Sequence, residues 1–189
     1  MLTDLPNLLT LSRIAAIPVL VALMAWHRPG TDLAACAVFG IAGITDWLDG
    51  RLARLHQLQS DLGRMLDPIA DKLLVGATLM ALAGMGRLSN FGLYPAIVIL
   101  CREILVSGLR EYLAGLRVSV PVTQLAKWKT TVQLVAIGFL IAGEAGEEIL
   151  PATTLIGIVL LWMSAIFTIY TGWDYFRAGI QHLIKEDEA

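Results

Sequence analysis

The chain has 189 residues, 57% of them hydrophobic and only 16% charged, with a mean hydropathy of +0.70 and a formal net charge of -2. Soluble domains run nearer about 45–50% apolar and about 25% charged. The composition therefore excludes an ordinary soluble domain, and without a basic excess there is no electrostatic footprint for nucleic acid.

Six apolar runs follow one another, over residues 8–26, 33–52, 65–86, 91–113, 122–143 and 150–176. Each is near or above the ~20 residues that cross ~30 Å of hydrocarbon. Breakers at 28–30, 56–63, 84–90, 115–121 and 143–151 separate them. The connections are short, which predicts antiparallel neighbours. The expected fold is all-α: one integral-membrane domain over residues 1–189, a bundle of six transmembrane helices. Residues 14–26 do not read as a cleavable signal. Asn7, Thr10 and Arg13 ahead of them make no charged n-region, and no A-x-A-like site follows. Cys36 and Cys101 sit in apolar runs without metal-site spacing, so buried free thiols are expected.

Basic residues set the orientation. Of 14 lysines and arginines, Arg28 and Arg87 alone fall on one side, whose last loop carries Glu144, Glu147 and Glu148. The remainder lie at the other side, with both termini, which places the termini in the cytoplasm. Trp26, Trp162 and Trp173 read as packing or border residues. His27, His56 and His182 read as interfacial.

Four aspartates stand out: Asp46, Asp49, Asp67 and Asp71. Asp46 and Asp49 share one helix face, and Asp67 and Asp71 share a face of the next. A carboxylate at a helix centre in lipid costs roughly 2.5–3.5 kcal/mol on insertion scales. The connection between the two pairs is short, so their faces can meet at the cytoplasmic end. Converging carboxylates need a compensating positive charge. Hard oxygen ligands favour Mg²⁺, Mn²⁺ or Ca²⁺ over zinc, and a two-metal site suits in-line displacement at phosphorus. Gly50, Ala53 and Gly63 leave room for a bulky ligand, and Arg54 and Arg64 could neutralise phosphate. Spacing alone leaves two other readings open. The acids could form an ion pathway, or they could be boundary charges balanced by arginines.

The pattern Asp46-x2-Asp49-Gly50-x2-Ala53-Arg54-x8-Gly63-x3-Asp67-x3-Asp71 resembles the signature of the CDP-alcohol phosphotransferases. Eight fixed residues over 26 positions make it far more specific than a glycine motif, and the six-span layout agrees. The resemblance implies a six-helix membrane bundle, a homodimer, with its site open to the cytoplasm of a bacterial cell membrane. It implies transfer of a phosphatidyl or similar group from a CDP-linked donor to an alcohol, with release of CMP. By it, Asp46, Asp49 and Asp67 are ligands to Mg²⁺ or Mn²⁺, as two ions. Asp71 lies by the second metal and serves as general base. Asp49, Gly50, Ala53, Arg54 and Gly63 shape the CDP pocket.

Two further clusters bear on the acceptor. Asn7, Thr10 and Arg13 are three apart on one face of the first helix, bordering either the nucleotide or the acceptor; an N-capped helix with a snorkelling arginine is the bland alternative. Arg102, Glu103, Arg110, Lys127, Lys129 and Gln133 gather in the fourth and fifth helices. A positive-inside border explains Arg102, Glu103 and Gln133 poorly, because they lie deep in apolar runs. Cations facing a cytoplasmic cavity suit a phosphate on the acceptor. The segments NLLTLSR, REILVSGLR and KWKTTVQ resemble those of family members that use sn-glycerol 3-phosphate. That implies CDP-diacylglycerol as donor, with Arg110, Lys127, Lys129, Arg102 and Arg13 on the acceptor phosphate. Serine, inositol phosphate or phosphatidylglycerol as acceptor is the alternative within the family. A small cation carrier is the alternative outside it, but the far halves of the spans are nearly devoid of charge.

Overall fold

A computed structural model of the chain describes residues 5–56, 61–88, 90–116 and 124–187, and within its helices the side chains of 5–6, 47–56, 61–62, 64, 124, 126–127, 174 and 178–187 lie outside the description. Six helices fill it: α1 (Leu5–Ala25), α2 (Pro29–His56), α3 (Asp61–Gly84), α4 (Asn90–Gly115), α5 (Gln124–Glu147) and α6 (Thr153–Asp187). No strand occurs among the described residues. Helices are the expected element in so apolar a chain, because they satisfy backbone N–H and C=O groups internally where no water can. Among the described residues, three stretches are long and apolar enough to cross a membrane: Asn7–Ala25, Asn90–Gly115 and Thr153–Arg177.

Several helices run past the apolar segments read from the sequence. The second run extends to His56 and the third begins at Asp61, so the 56–63 breaker is narrower than expected. α6 continues beyond its apolar run to Asp187. α5 passes through Gly143, where the backbone bends at φ 46° and ψ −127°, a conformation that suits a residue without Cβ.

Local chemistry marks the ends. Pro29 opens α2, where its missing N–H costs no hydrogen bond. Thr31 Oγ receives the Arg28 amide at 3.3 Å and donates back to the Arg28 carbonyl at 2.9 Å. Glu147 caps α6, accepting the Ala152 and Thr154 amides at 2.7 and 2.9 Å. Those N–H donors, that of Thr154 foremost, hold its carboxyl below the usual value.

Packing divides the bundle into two groups. α1 lies on α2 and α3, while α6 lies on α4 and α5; α2 and α5 join the groups. α3 touches α4 and α5 only sparingly, although it leads directly into α4. The apolar centre runs through Leu20, Phe39, Leu74, Ile99, Ile137 and Leu161. Large apolar side chains such as Ile41, Met80, Ile104 and Ile166 face outward, which suits a lipid surroundings rather than water. Both cysteines are free, as expected, but Cys36 is half-buried and Cys101 is exposed on α4. An apolar run buries every thiol only in a soluble core; in a bundle this thin, half of each helix faces out.

Arg87, just beyond α3, closes the end of the bundle where α1 finishes and α2 begins. It pairs with Asp32 at 2.8 Å and donates to the Met24 and Ile141 carbonyls at 3.0 and 3.2 Å. One side chain thereby ties together α1, α2 and α5.

Candidate active site

The other end of the bundle gathers the polar residues that the sequence singles out. Asn7, Thr10 and Arg13 share the inward face of α1, with 1%, 0% and 2% of their surfaces exposed. α1 begins at Leu5, so Asn7 lies inside the helix rather than capping it. Arg13 does not snorkel to water. A guanidinium this deep needs a counter-charge, and Nη1 of Arg13 meets Asp46 Oδ1 at 2.6 Å and Asp71 Oδ1 at 2.8 Å. Thr10 Oγ1 donates to Asp67 Oδ1 at 2.5 Å. Three aspartates from α2 and α3 thus converge on one face of α1.

Two of them stay accessible: the side chains of Asp46 and Asp71 are 38% and 49% exposed. Among the described residues in direct contact here, the carboxylates outnumber the cations, with Arg13 facing two of them and Asp67 alongside. That suits a further cation, and the donors are all hard oxygens of the kind Mg²⁺ or Mn²⁺ takes. Among the described residues, no three acidic, histidine or cysteine side chains are grouped to hold a metal as they stand. The side chains of Asp49, Ala53, Arg54 and Lys127 and the surroundings of Gly50 lie outside the description; only the backbone of α2 and α5 is described at these positions. Gly63 is buried in the first turn of α3.

The predicted acceptor cations separate into distinct surroundings. Arg13 goes to the aspartates. Arg102 turns toward α6, its Nε donating to the Thr168 carbonyl and its Nη2 to Thr171 Oγ1, both at 2.9 Å. Gly172 makes room for it, since a Cβ there would come within 3.3 Å of Arg102 Cγ and Nε. The third nitrogen, Nη1, approaches Glu103 Oε1 at 3.4 Å. Lys129, 5% exposed, donates to the same Glu103 oxygen. Arg110 is exposed, its guanidinium 5.7 Å from the centre of the Tyr175 ring. Deeper on α5, one turn from Lys129, Gln133 is 3% exposed and its Oε1 has no hydrogen-bond partner.

Lys72 follows Asp71 on α3, and its Nζ donates to the Pro68 carbonyl at 3.0 Å. Sequence reasoning uses Lys72 only to set orientation. Next to the aspartates, a groove of about 150 Å³ between α1 and α2 is lined by Arg13, Ala16, Val38, Ile41 and Thr45.

Comparison with known proteins agrees with the motif. The family model for CDP-alcohol phosphatidyltransferase matches residues 3–170. A relative from Rickettsia bellii is 46% identical over 175 residues, covering 93% of this chain and 94% of its own, and is named CDP-diacylglycerol–glycerol-3-phosphate 3-phosphatidyltransferase. One from Bacillus subtilis with the same name is 39% identical over 95% of this chain and 97% of its own. A rice protein named cardiolipin synthase (CMP-forming) is 38% identical over 97% of this chain and 60% of its own. The signature residues, the helical bundle and these matches together make the chain a member of the CDP-alcohol phosphatidyltransferase family.

Proposed function

We propose that the protein transfers the phosphatidyl group of CDP-diacylglycerol to sn-glycerol 3-phosphate, giving phosphatidylglycerol phosphate and CMP. The observation that carries this is the convergence of Asp46, Asp67 and Asp71 on α1, at the same end of the bundle as the buried Lys129. The names of the Rickettsia and Bacillus relatives support the same reaction. In this reading all six helices span a bacterial cytoplasmic membrane. Both termini and the aspartate end face the cytoplasm, which supplies glycerol 3-phosphate and receives CMP, and the enzyme works as a homodimer.

Asp46, Asp49, Asp67 and Asp71 would hold two Mg²⁺ or Mn²⁺ ions. When bound, those ions supply charge neutralisation for the diphosphate and for CMP as it leaves. The chain's own residues do the rest. Thr10 fixes the Asp67 carboxylate, so that one rotamer faces the substrate. Arg13 keeps Asp46 and Asp71 together before any ligand arrives. Asp71, half exposed, takes the proton from the primary hydroxyl of the acceptor as its oxygen attacks the β-phosphorus. Asp49, Gly50, Ala53, Arg54 and Gly63 shape the nucleotide pocket, bordered by Asn7 and Thr10. Lys129, with Lys127 and Arg110, binds the acceptor phosphate. Arg102 contributes by bracing, because its guanidinium is turned toward α6 and Glu103.

A second reading is favoured by one observation, the rice cardiolipin synthase match, which would make phosphatidylglycerol the acceptor. One assay separates them. Purified protein with CDP-diacylglycerol and Mg²⁺ or Mn²⁺ is given glycerol 3-phosphate, serine, inositol phosphate or phosphatidylglycerol. Release of CMP only with glycerol 3-phosphate is expected. Release driven by another acceptor overturns the assignment.

A further inference from the structure

Glu103 has no place in the reaction as described so far, yet it sits where an anion is least expected. It lies on α4, among the cations assigned to a negatively charged substrate. A carboxylate there repels an incoming phosphate, so its presence needs a reason. The contacts supply one. A single oxygen, Oε1, takes both Lys129 from α5 and Arg102 from its own helix. Arg102 is in turn anchored to α6 through the Thr168 carbonyl and Thr171 Oγ1. The chain of contacts runs from α6 through Arg102 and Glu103 to the Lys129 ammonium.

Lys129 carries a flexible stem of four carbons, and nothing in an isolated helix holds its ammonium in one direction. It is also 5% exposed, so water cannot compensate its charge fully. Glu103 meets both needs, giving a buried ammonium its counter-charge and a fixed direction. Each of the three Arg102 nitrogens has a partner, which turns its guanidinium toward α6 and Glu103. Lys129 has donors beyond the one given to Glu103, because an ammonium carries three.

We propose that Glu103 is a positioning residue: braced by Arg102, it holds the Lys129 ammonium ready to receive the acceptor's phosphate, without itself touching the reacting atoms. The proposal rests on glycerol 3-phosphate being the acceptor. A plain structural counter-ion is the competing account, and it predicts loss of folded protein or a uniform loss of activity. The positioning role predicts a selective loss.

The test is steady-state CMP release by purified Glu103→Gln, with each substrate varied in turn and thermal melting followed in the same detergent. The expected result is an increase of about tenfold in KM for glycerol 3-phosphate, with KM for CDP-diacylglycerol and the melting temperature held. Glu103→Asp, which keeps the charge but draws it back by one methylene, should recover part of that loss and leave a smaller rise confined to the acceptor KM. In a Lys129→Ala background, Glu103→Gln should add nothing, since its effect passes through Lys129. An unchanged acceptor KM, equal increases in both KM values, or full additivity with Lys129→Ala overturns the proposal. If Glu103→Gln does not fold, Glu103→Asp carries the test. A rise in its acceptor KM alone supports the role, and an unchanged or donor-equal KM overturns it. A wild type that releases no CMP with glycerol 3-phosphate refutes the functional reading itself. An active wild type whose Glu103→Gln keeps its acceptor KM refutes only the role of Glu103.

Discussion

Two arginines meet aspartates across this bundle, one at each end, and only one of the two meetings is built to be open. Arg87 has one carboxylate, Asp32, whose side chain is 9% exposed, together with two backbone carbonyls and the His27 ring, and among these partners charge is balanced one to one. Arg13 has two carboxylates, both substantially exposed, with a third held alongside by Thr10. The same residue types thus give a closed strut at one end and, among the contacts described, more carboxylates than cations at the other. Charge stoichiometry and exposure separate structural from functional acids here, whereas residue identity does not.

The largest expected effect lies at the open end. Asp71→Asn should lower CMP release by roughly 10²–10⁴-fold while leaving membrane insertion and thermal melting intact. A well-folded variant with near-normal turnover removes Asp71 as the base. The closed end should behave in the opposite way. Arg87→Met strands a buried carboxylate, and such breaks cost about 3–5 kcal/mol, so melting should fall sharply while both KM values hold in the protein that remains folded. Adding Asp32→Leu should restore much of the stability, because replacing both partners of a buried pair is often nearly neutral. A large change in KM from Arg87→Met would erase the distinction between the ends.

A smaller effect sharpens the boundary of the open end. Lys129→Ala should raise KM for glycerol 3-phosphate by about tenfold and that for CDP-diacylglycerol by much less. Equal effects on both would detach Lys129 from the acceptor. The smallest expected effect lies at Glu147, a surface cap on the Arg87 side of the bundle. Its carboxyl is held below the usual value by the Thr154 and Ala152 amides. The cap's contribution is therefore complete above the unfolded value of about 4.3 and fades as pH falls through the lower folded value. Thermal melts of wild type and Glu147→Gln should differ in their slope against pH only in that acid window. A difference confined to neutral pH would contradict the cap.

Hydropathy made the six helices legible to within a few residues at most ends. It failed where a helix runs past its apolar segment, at His56, Asp61 and Asp187, because backbone hydrogen bonds continue the helix without apolar side chains. The inward face of α1 was legible from the spacing of Asn7, Thr10 and Arg13. Its partners were not, since Asp67 and Asp71 lie 57 and 58 residues away in sequence. The resemblance put Arg13 among the phosphate-binding cations, and tertiary packing brings it to the aspartates. Likewise, the depth of Glu103 in an apolar run marked it as unusual, but its pairing with Lys129 is a contact between helices that no local pattern encodes.

The account depends most on the aspartate end being a cation site. Titration of the purified protein with Mn²⁺, followed by electron paramagnetic resonance without substrates, tests that directly. Wild type and Glu147→Gln should take up Mn²⁺ alike, and a variant carrying Asp46→Asn with Asp71→Asn should lose the uptake. Unchanged Mn²⁺ binding in the folded double variant would contradict the account.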